Sequence, residues 1–211
     1  VRSYKIRNLV TNPENYRLYM TEFVLPSFTA FYGEQYDIDG SFSVNWHVPI
    51  DDTRHWKYTF IFSRNAPLDK AATKRRRAEM LEGYRPMRNK GNRYQQDRRS
   101  MIDESFSGIA YNFQVQDLCV TEGMGIVQDR TKEHLTAMDR PVVIARKVLL
   151  AAIRDLQEGR EPRNVVRDPK LNHFVINACN DLVPASTPWR DHIKEKYAEL
   201  AALLARGNRG H

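Results

Sequence analysis

Ser41-Phe42-Ser43-Val44-Asn45-Trp46-His47-Val48-Pro49-Ile50, the link Asp51-Asp52-Thr53-Arg54, and Trp56-Lys57-Tyr58-Thr59-Phe60-Ile61-Phe62-Ser63 form the stretch that decides how this chain folds. In its first run Phe42, Val44, Trp46, Val48 and Ile50 alternate with Ser41, Ser43, Asn45 and His47. In its second, Trp56, Tyr58, Phe60 and Phe62 alternate with Lys57, Thr59 and Ile61. A period of two is that of a strand, and a short polar link between two such runs predicts an antiparallel hairpin. One face of that hairpin is heavily aromatic. Ordinary sheet core looks like this, and so does the wall of a pocket for a flat apolar ligand. Trp46 shares its face with Phe42 and Val44, which points it to a core role, while His47 faces the other way.

Upstream, Tyr16–Val24 is rich in aromatic and β-branched residues and ends before Pro26, and Tyr4–Arg7 is also strand-like. Downstream, Leu68–Leu81 reads as a short helix carrying Lys74-Arg75-Arg76-Arg77. Gly83, Pro86 and Gly91 then interrupt the chain, which predicts a surface loop over 83–100, and residues 119–127 read as irregular. The clearest helix opens at Asp139. Pro141 suits its first turn, Val142, Ala145, Leu149, Ala152, Ile153 and Leu156 share one face, and Gly159 and Pro162 end it. A second helix starts at Thr187 and Pro188, with Trp189, Ile193, Tyr197, Leu200 and Leu204 as its apolar stripe.

At 211 residues and 41% hydrophobic content the chain is long and apolar enough for one large domain, or one domain with an extension. The net charge of +7 is concentrated, because residues 70–99 hold eleven basic and three acidic side chains and the remainder is close to neutral. Only Tyr84 and Tyr94 interleave those charges, so the segment is read as a solvated loop or subunit contact rather than a nucleic-acid surface. Docking of an acidic electron-transfer protein is a third use of it. Cys119 and Cys179 are sixty residues apart and read as free thiols of a reducing cytoplasm. No apolar run approaches the ~18–20 residues of a membrane span, and no signal peptide is apparent. The expectation is a cytoplasmic protein. The chain opens at Val1 within a strand-like segment, which reads as a fragment or trimmed chain.

Catalytic signatures are sparse. There is no nucleophile elbow, glycine-rich phosphate loop or paired cysteine spacing. The six histidines, His47, His55, His134, His173, His192 and His211, show no metal-site spacing and read as structural or solvated. Asp139 has two readings: a carboxylate in the first turn of a helix, which dipole and capping favour, or a metal ligand carried on that helix.

From Gly91 onward an ordered series of motifs appears. It runs through Asn92-Arg93-Tyr94-Gln95-Gln96-Asp97-Arg98, Phe106-Ser107-Gly108-Ile109, Gln116-Asp117 and Thr121-Glu122-Gly123-Met124-Gly125. It continues with Asp129-Arg130-Thr131-Lys132-Glu133-His134-Leu135, then Asp139 before Ile144-Ala145-Arg146-Lys147-Val148-Leu149-Leu150. Together with Trp46-His47-Val48-Pro49-Ile50-Asp51-Asp52-Thr53 the series covers about residues 15–170. It resembles the C-terminal catalytic region of Rieske non-haem iron aromatic ring-hydroxylating oxygenase large subunits, in the phthalate 4,5-dioxygenase-like branch.

The resemblance implies an α+β helix-grip (START/Bet v 1-like) fold, an antiparallel sheet wrapped around a long C-terminal helix and incomplete at its N-terminus. Residues 1–165 would be the C-terminal part of the mononuclear-iron catalytic domain, and 166–211 an extension with a terminal helix. Asp139 holds the position of the third ligand of mononuclear Fe(II), and the resemblance favours that reading. The Rieske 2Fe-2S motifs and the two ligand histidines are missing here and lie upstream in the family. Ile126 stands where the family often has proline, and Ala137-Met138 precedes the aspartate. The implied chemistry uses dioxygen and electrons from a separate reductase for ring dihydroxylation or O-demethylation. The implied assembly is a homo-oligomer, a trimer or hexamer, with neither nucleic acid nor membrane as partner. Substrates of the branch are often aromatic carboxylates, so Arg2, Arg7, Arg17 and His47 are candidates to meet one, against the plain reading of surface side chains. The alternative is a helix-grip module that binds an aromatic ligand without chemistry.

Overall fold

The computed structural model describes residues 1–32, 41–64, 66–75, 79–109, 113–171 and 176–207. Arg76, Arg77, His173 and His211 lie outside them. The chain divides into two compact units, one of residues 1–50, 55–66 and 135–211, the other of 51–54 and 67–134.

The first unit is built on an antiparallel sheet of β1 (Arg2–Asn8), β2 (Asn15–Val24), β3 (Phe28–Tyr32), β4 (Ser41–Pro49) and β5 (His55–Ser63), paired in that order. A further strand, Cys179–Pro184, pairs antiparallel with the first half of β2, along Asn15–Met20, while β3 takes Glu22–Val24. The predicted hairpin is present as β4 and β5, in register from Ser41 opposite Ser63 to Pro49 opposite His55. Residues 166–211, expected as an extension, supply the Cys179–Pro184 strand and the helix Trp189–Gly207 to this unit.

Register fixes which side chains share a face. Tyr4 and Ile6 of β1, Tyr16, Leu18 and Met20 of β2, Ala30 of β3, Val44 and Trp46 of β4 and Tyr58 and Phe60 of β5 all lie on one side. Trp189, Ile193 and Tyr197 of the terminal helix pack there over Tyr16, Leu18, Met20, Cys179 and Val183. Leu18 and Val183 are fully buried. Burial of each contributes about 1.5–3 kcal/mol. The Tyr16 hydroxyl donates to Thr187 O at 2.7 Å and pins the start of the helix. Across the same seam Asp181 Oδ2 meets His192 Nε2 at 2.8 Å and Lys196 Nζ at 2.6 Å.

The helix predicted from Asp139 runs over Arg140–Gln157, with Pro141 in its first turn and Gly159 in a left-handed conformation beyond it (φ +72°). None of its residues is buried, and Val142, Ile144, Val148, Leu150, Ile153 and Leu156 are exposed. The unit is α+β, an antiparallel sheet with helices, consistent with a helix-grip layout, and the helix that enters its core is Trp189–Gly207.

The second unit packs Tyr94, Ile109 and Val115 together, with Leu118 and Cys119 against them. Val115 and its neighbours belong to a helix, Phe113–Gly123, which corrects the irregular reading at its C-terminal end. The helix expected over 68–81 is confined to Lys70–Arg75 among the described residues, and Met80–Leu81 pairs instead with Arg85–Pro86. The segment read as a surface loop over 83–100 also carries short 3-10 turns, Glu82–Tyr84 and Lys90–Gln95.

From here these elements are α1 (Lys70–Arg75), β6 (Met80–Leu81), β7 (Arg85–Pro86), α2 (Ser100–Asp103), α3 (Phe113–Gly123), α4 (Arg140–Gln157), β8 (Cys179–Pro184) and α5 (Trp189–Gly207).

Candidate functional site

The aromatic face of the hairpin lies on the same side of the sheet as α5, but only part of that side is covered. Phe42 and Val44 are buried, and Phe42 stacks on Phe62 at 5.2 Å between ring centroids. Further along, Trp46, Trp56, Tyr58 and Phe60 keep 48%, 44%, 47% and 51% of their surface in solvent. Four large rings side by side on one sheet face form an apolar platform, a surface that a folded chain rarely leaves open without a partner or ligand. Arg64 lies against this face, its guanidinium 4.6 Å from the centroid of the Phe42 ring and Nη2 donating to Ile176 O at 2.6 Å. Burial lowers its pKa, with the Glu22 carboxylate acting in the opposite direction. The sequence reading passed over Arg64. The signal was its position two residues after Phe62, on the aromatic side of the alternation.

Asp139 closes a short 3-10 turn, Ala137–Asp139, that runs directly into α4. The backbone N–H and the Oγ1 of Thr136 donate to its Oδ2 at 2.8 and 3.0 Å, and Met138 N–H donates to Thr136 Oγ1 at 3.2 Å. This is a capping box, which satisfies helix N–H groups that have no partner within the helix. Among the described residues Asp139 Oδ1 is not engaged, so the cap leaves one carboxylate oxygen for a ligand. Asp139 therefore fits a mononuclear iron centre as a single donor. Among the described residues no three His, Cys, Asp or Glu side chains are gathered for a metal.

The cationic candidates are dispersed. Arg2 is on the α5 side, but its Nε is paired with Glu22 Oε1 at 2.8 Å and its guanidinium lies 4.7 Å from the Tyr197 ring centroid. Arg7 and Arg17 face each other across β1 and β2 on the opposite side, where Arg17 Nη1 donates to Asn180 Oδ1 at 3.4 Å. His47 is also on that opposite side. The structure brings it to His55, on the other arm of the hairpin, Nδ1 to Nε2 3.0 Å, although their spacing in the sequence reads as that of no metal site. Burial, then the neighbouring His55 and Lys57, lowers the His47 pKa.

The motifs from Gly91 onward are largely scaffolding in the second unit. Asp97 N–H donates to Gly108 O at 2.8 Å and Gln96 Nε2 to Ser107 O at 2.7 Å, which joins two of the motif segments. Tyr94 Oη donates to Glu122 Oε2 at 2.5 Å and links a third. Asp129 Oδ1 accepts from the N–H and Oγ1 of Thr131 at 3.0 and 2.6 Å, shaping the turn at 130–132. Cys179 is buried against Leu18 O, and burial pushes its thiol up to about 12, so it has little nucleophilic character. No helix among the described residues is long and apolar enough to cross a membrane.

Comparison with known proteins agrees with these motifs. Residues 2–206 match the family described as LigXa C-terminal domain like. The phthalate 4,5-dioxygenase oxygenase subunit of Pseudomonas putida is 32% identical over 154 residues, 70% of this chain and 34% of that protein. The 5,5'-dehydrodivanillate O-demethylase oxygenase subunit of Sphingobium sp. (strain NBRC 103272 / SYK-6) is 30% identical over 80 residues, 38% of this chain and 17% of that protein. The chain spans about a third of the length of the first of these relatives and a smaller part of the second. With the match running nearly end to end, the chain belongs to the LigXa C-terminal domain-like family and corresponds to the C-terminal region of Rieske oxygenase large subunits.

Proposed function

We propose that this chain is part of the catalytic domain of a Rieske-type oxygenase that hydroxylates an aromatic, carboxylated substrate, by ring dihydroxylation or by O-demethylation. The observation that carries the reading is the open platform of Trp46, Trp56, Tyr58 and Phe60 on the helix side of the sheet. Aromatic rings stack there by offset or edge contacts. Arg64 is a cation against this face, over the Phe42 ring, and it is assigned to the substrate carboxylate.

Asp139 Oδ1 is assigned as one ligand of mononuclear Fe(II), the other two coming from histidines outside the described residues. When bound, the iron supplies a site for dioxygen beside the substrate. Thr136 serves as the positioning residue, since its two hydrogen bonds to Oδ2 orient the carboxylate. Electrons would arrive from a Rieske 2Fe-2S cluster held elsewhere, supplied by a separate reductase. Assembly into a trimer or hexamer and residence in the cytoplasm belong to the same proposal.

A second reading, a module that binds aromatic ligands without chemistry, is favoured by the engagement of Asp139 in its cap. Turnover by the full-length protein separates the two. With a reductase and NAD(P)H, aromatic carboxylic acids should be consumed with dioxygen uptake, and Arg64→Met should raise KM with a smaller effect on kcat. Binding of the same acids without any dioxygen uptake would leave the binding module.

A further inference from the structure

We propose that His47 and His55 form a two-nitrogen site for a borderline divalent transition ion of the Cu²⁺, Ni²⁺ or Zn²⁺ class, on the hairpin face opposite the aromatic platform. The two rings belong to different strands. In the β4–β5 register His47 lies opposite Lys57 and His55 opposite Pro49, so the histidines are diagonal neighbours on one face. Their nitrogens, Nδ1 of His47 and Nε2 of His55, are 3.0 Å apart, with ring centroids at 4.9 Å. Two imidazole nitrogens held cis on one ion at about 2.1 Å, about 90° apart, are also separated by about 3 Å. The spacing is therefore that of two adjacent corners of a square-planar or octahedral ion. Hydrogen bonding along both strands, from Ser41–Ser63 to Pro49–His55, holds the two ligands in place before any ion arrives.

Without an ion, one ring donates to the other. Binding requires that ring to carry its proton on its far nitrogen, so that both facing lone pairs turn to the ion, and a neutral pair releases no proton in doing so. Among the described residues no third ligand joins the pair, and water completes the coordination. His47 is half-buried and His55 exposed, so the site opens to solvent and exchanges its ion readily. It is separate from the iron site assigned above, with no residue in common.

Cu²⁺ is the probe, titrated into the full-length protein with its iron sites filled and its cluster oxidised. One Cu²⁺ should bind with an electron paramagnetic resonance spectrum of two equatorial nitrogens. His47→Gln and His55→Gln should each weaken it about tenfold or more, and the double variant, left with neither nitrogen, should lose the site. Far-ultraviolet circular dichroism checks that the hairpin persists in each variant. Asp139→Ala should leave the copper signal in place, so this site stands or falls apart from the oxygenase reading. A one-nitrogen spectrum, or affinity unchanged in both single variants, overturns the proposal.

Discussion

Gly108 shows how closely single residues are specified. It has φ +62°, and a Cβ there would sit 2.3 Å from Asp97 O and 2.8 Å from Met101 Cγ. Gly108→Ala should therefore destabilise the second unit by about 2 kcal/mol or more, read by denaturant unfolding, because both the backbone conformation and the contact are unfavourable. Asp181 gives a pH signature. Burial raises its pKa, but hydrogen bonds and charge from Lys196 and His192 outweigh that and lower it overall. A depressed carboxylate stabilises the fold above its unfolded value near ~3.9 and loses that contribution as pH falls through the folded one. Asp181→Asn should cost about 1–3 kcal/mol at pH 7, and its difference from the wild type should shrink as pH falls below the unfolded carboxylate value. Asp139 was legible from sequence as the opening of a helix. The His47–His55 pair was legible only as two residues on opposite arms of the hairpin, because their contact depends on the register.

At the scale of elements, alternation made β2, β4 and β5 readable, and Pro141 and Gly159 bracketed α4. Short β3 offers only Phe28-Thr29-Ala30-Phe31-Tyr32, and β8 carries Asn180 and Asp181 among its apolar residues, so neither stands out without the β2 edge that both complete. The sequence Phe113-Gln114-Val115-Gln116-Asp117-Leu118-Cys119-Val120 has no sharp apolar stripe, and tertiary packing of Val115 rather than periodicity supports α3. The two ends of the sheet face should respond differently to mutation. Leu18→Ala, under α5, should cost about 2–5 kcal/mol. Tyr58→Ala on the platform should cost less than about 1 kcal/mol while raising KM for an aromatic substrate, since half of that ring is already in water. A large loss of stability with unchanged KM would instead make Tyr58 a core residue.

At the scale of the whole molecule, the α+β class and the antiparallel sheet follow from local patterns, whereas the site depends on residues distributed along the chain. Asp139 is proposed as one donor, and the chain matches about a third of the first relative's length. Thr136→Ala and Asp139→Ala separate its two roles. Loss of the Thr136 hydroxyl should lower stability by about 1 kcal/mol in thermal unfolding and weaken mononuclear iron binding without abolishing it, because the Thr136 N–H still holds Oδ2. The most direct test of the account is the iron content of the full-length protein and its Asp139→Ala variant, with Rieske iron counted separately by its spectrum. The account predicts that the variant keeps its cluster and loses the mononuclear iron. Mononuclear iron at the wild-type level in Asp139→Ala would contradict it and return this carboxylate to the role of a helix cap.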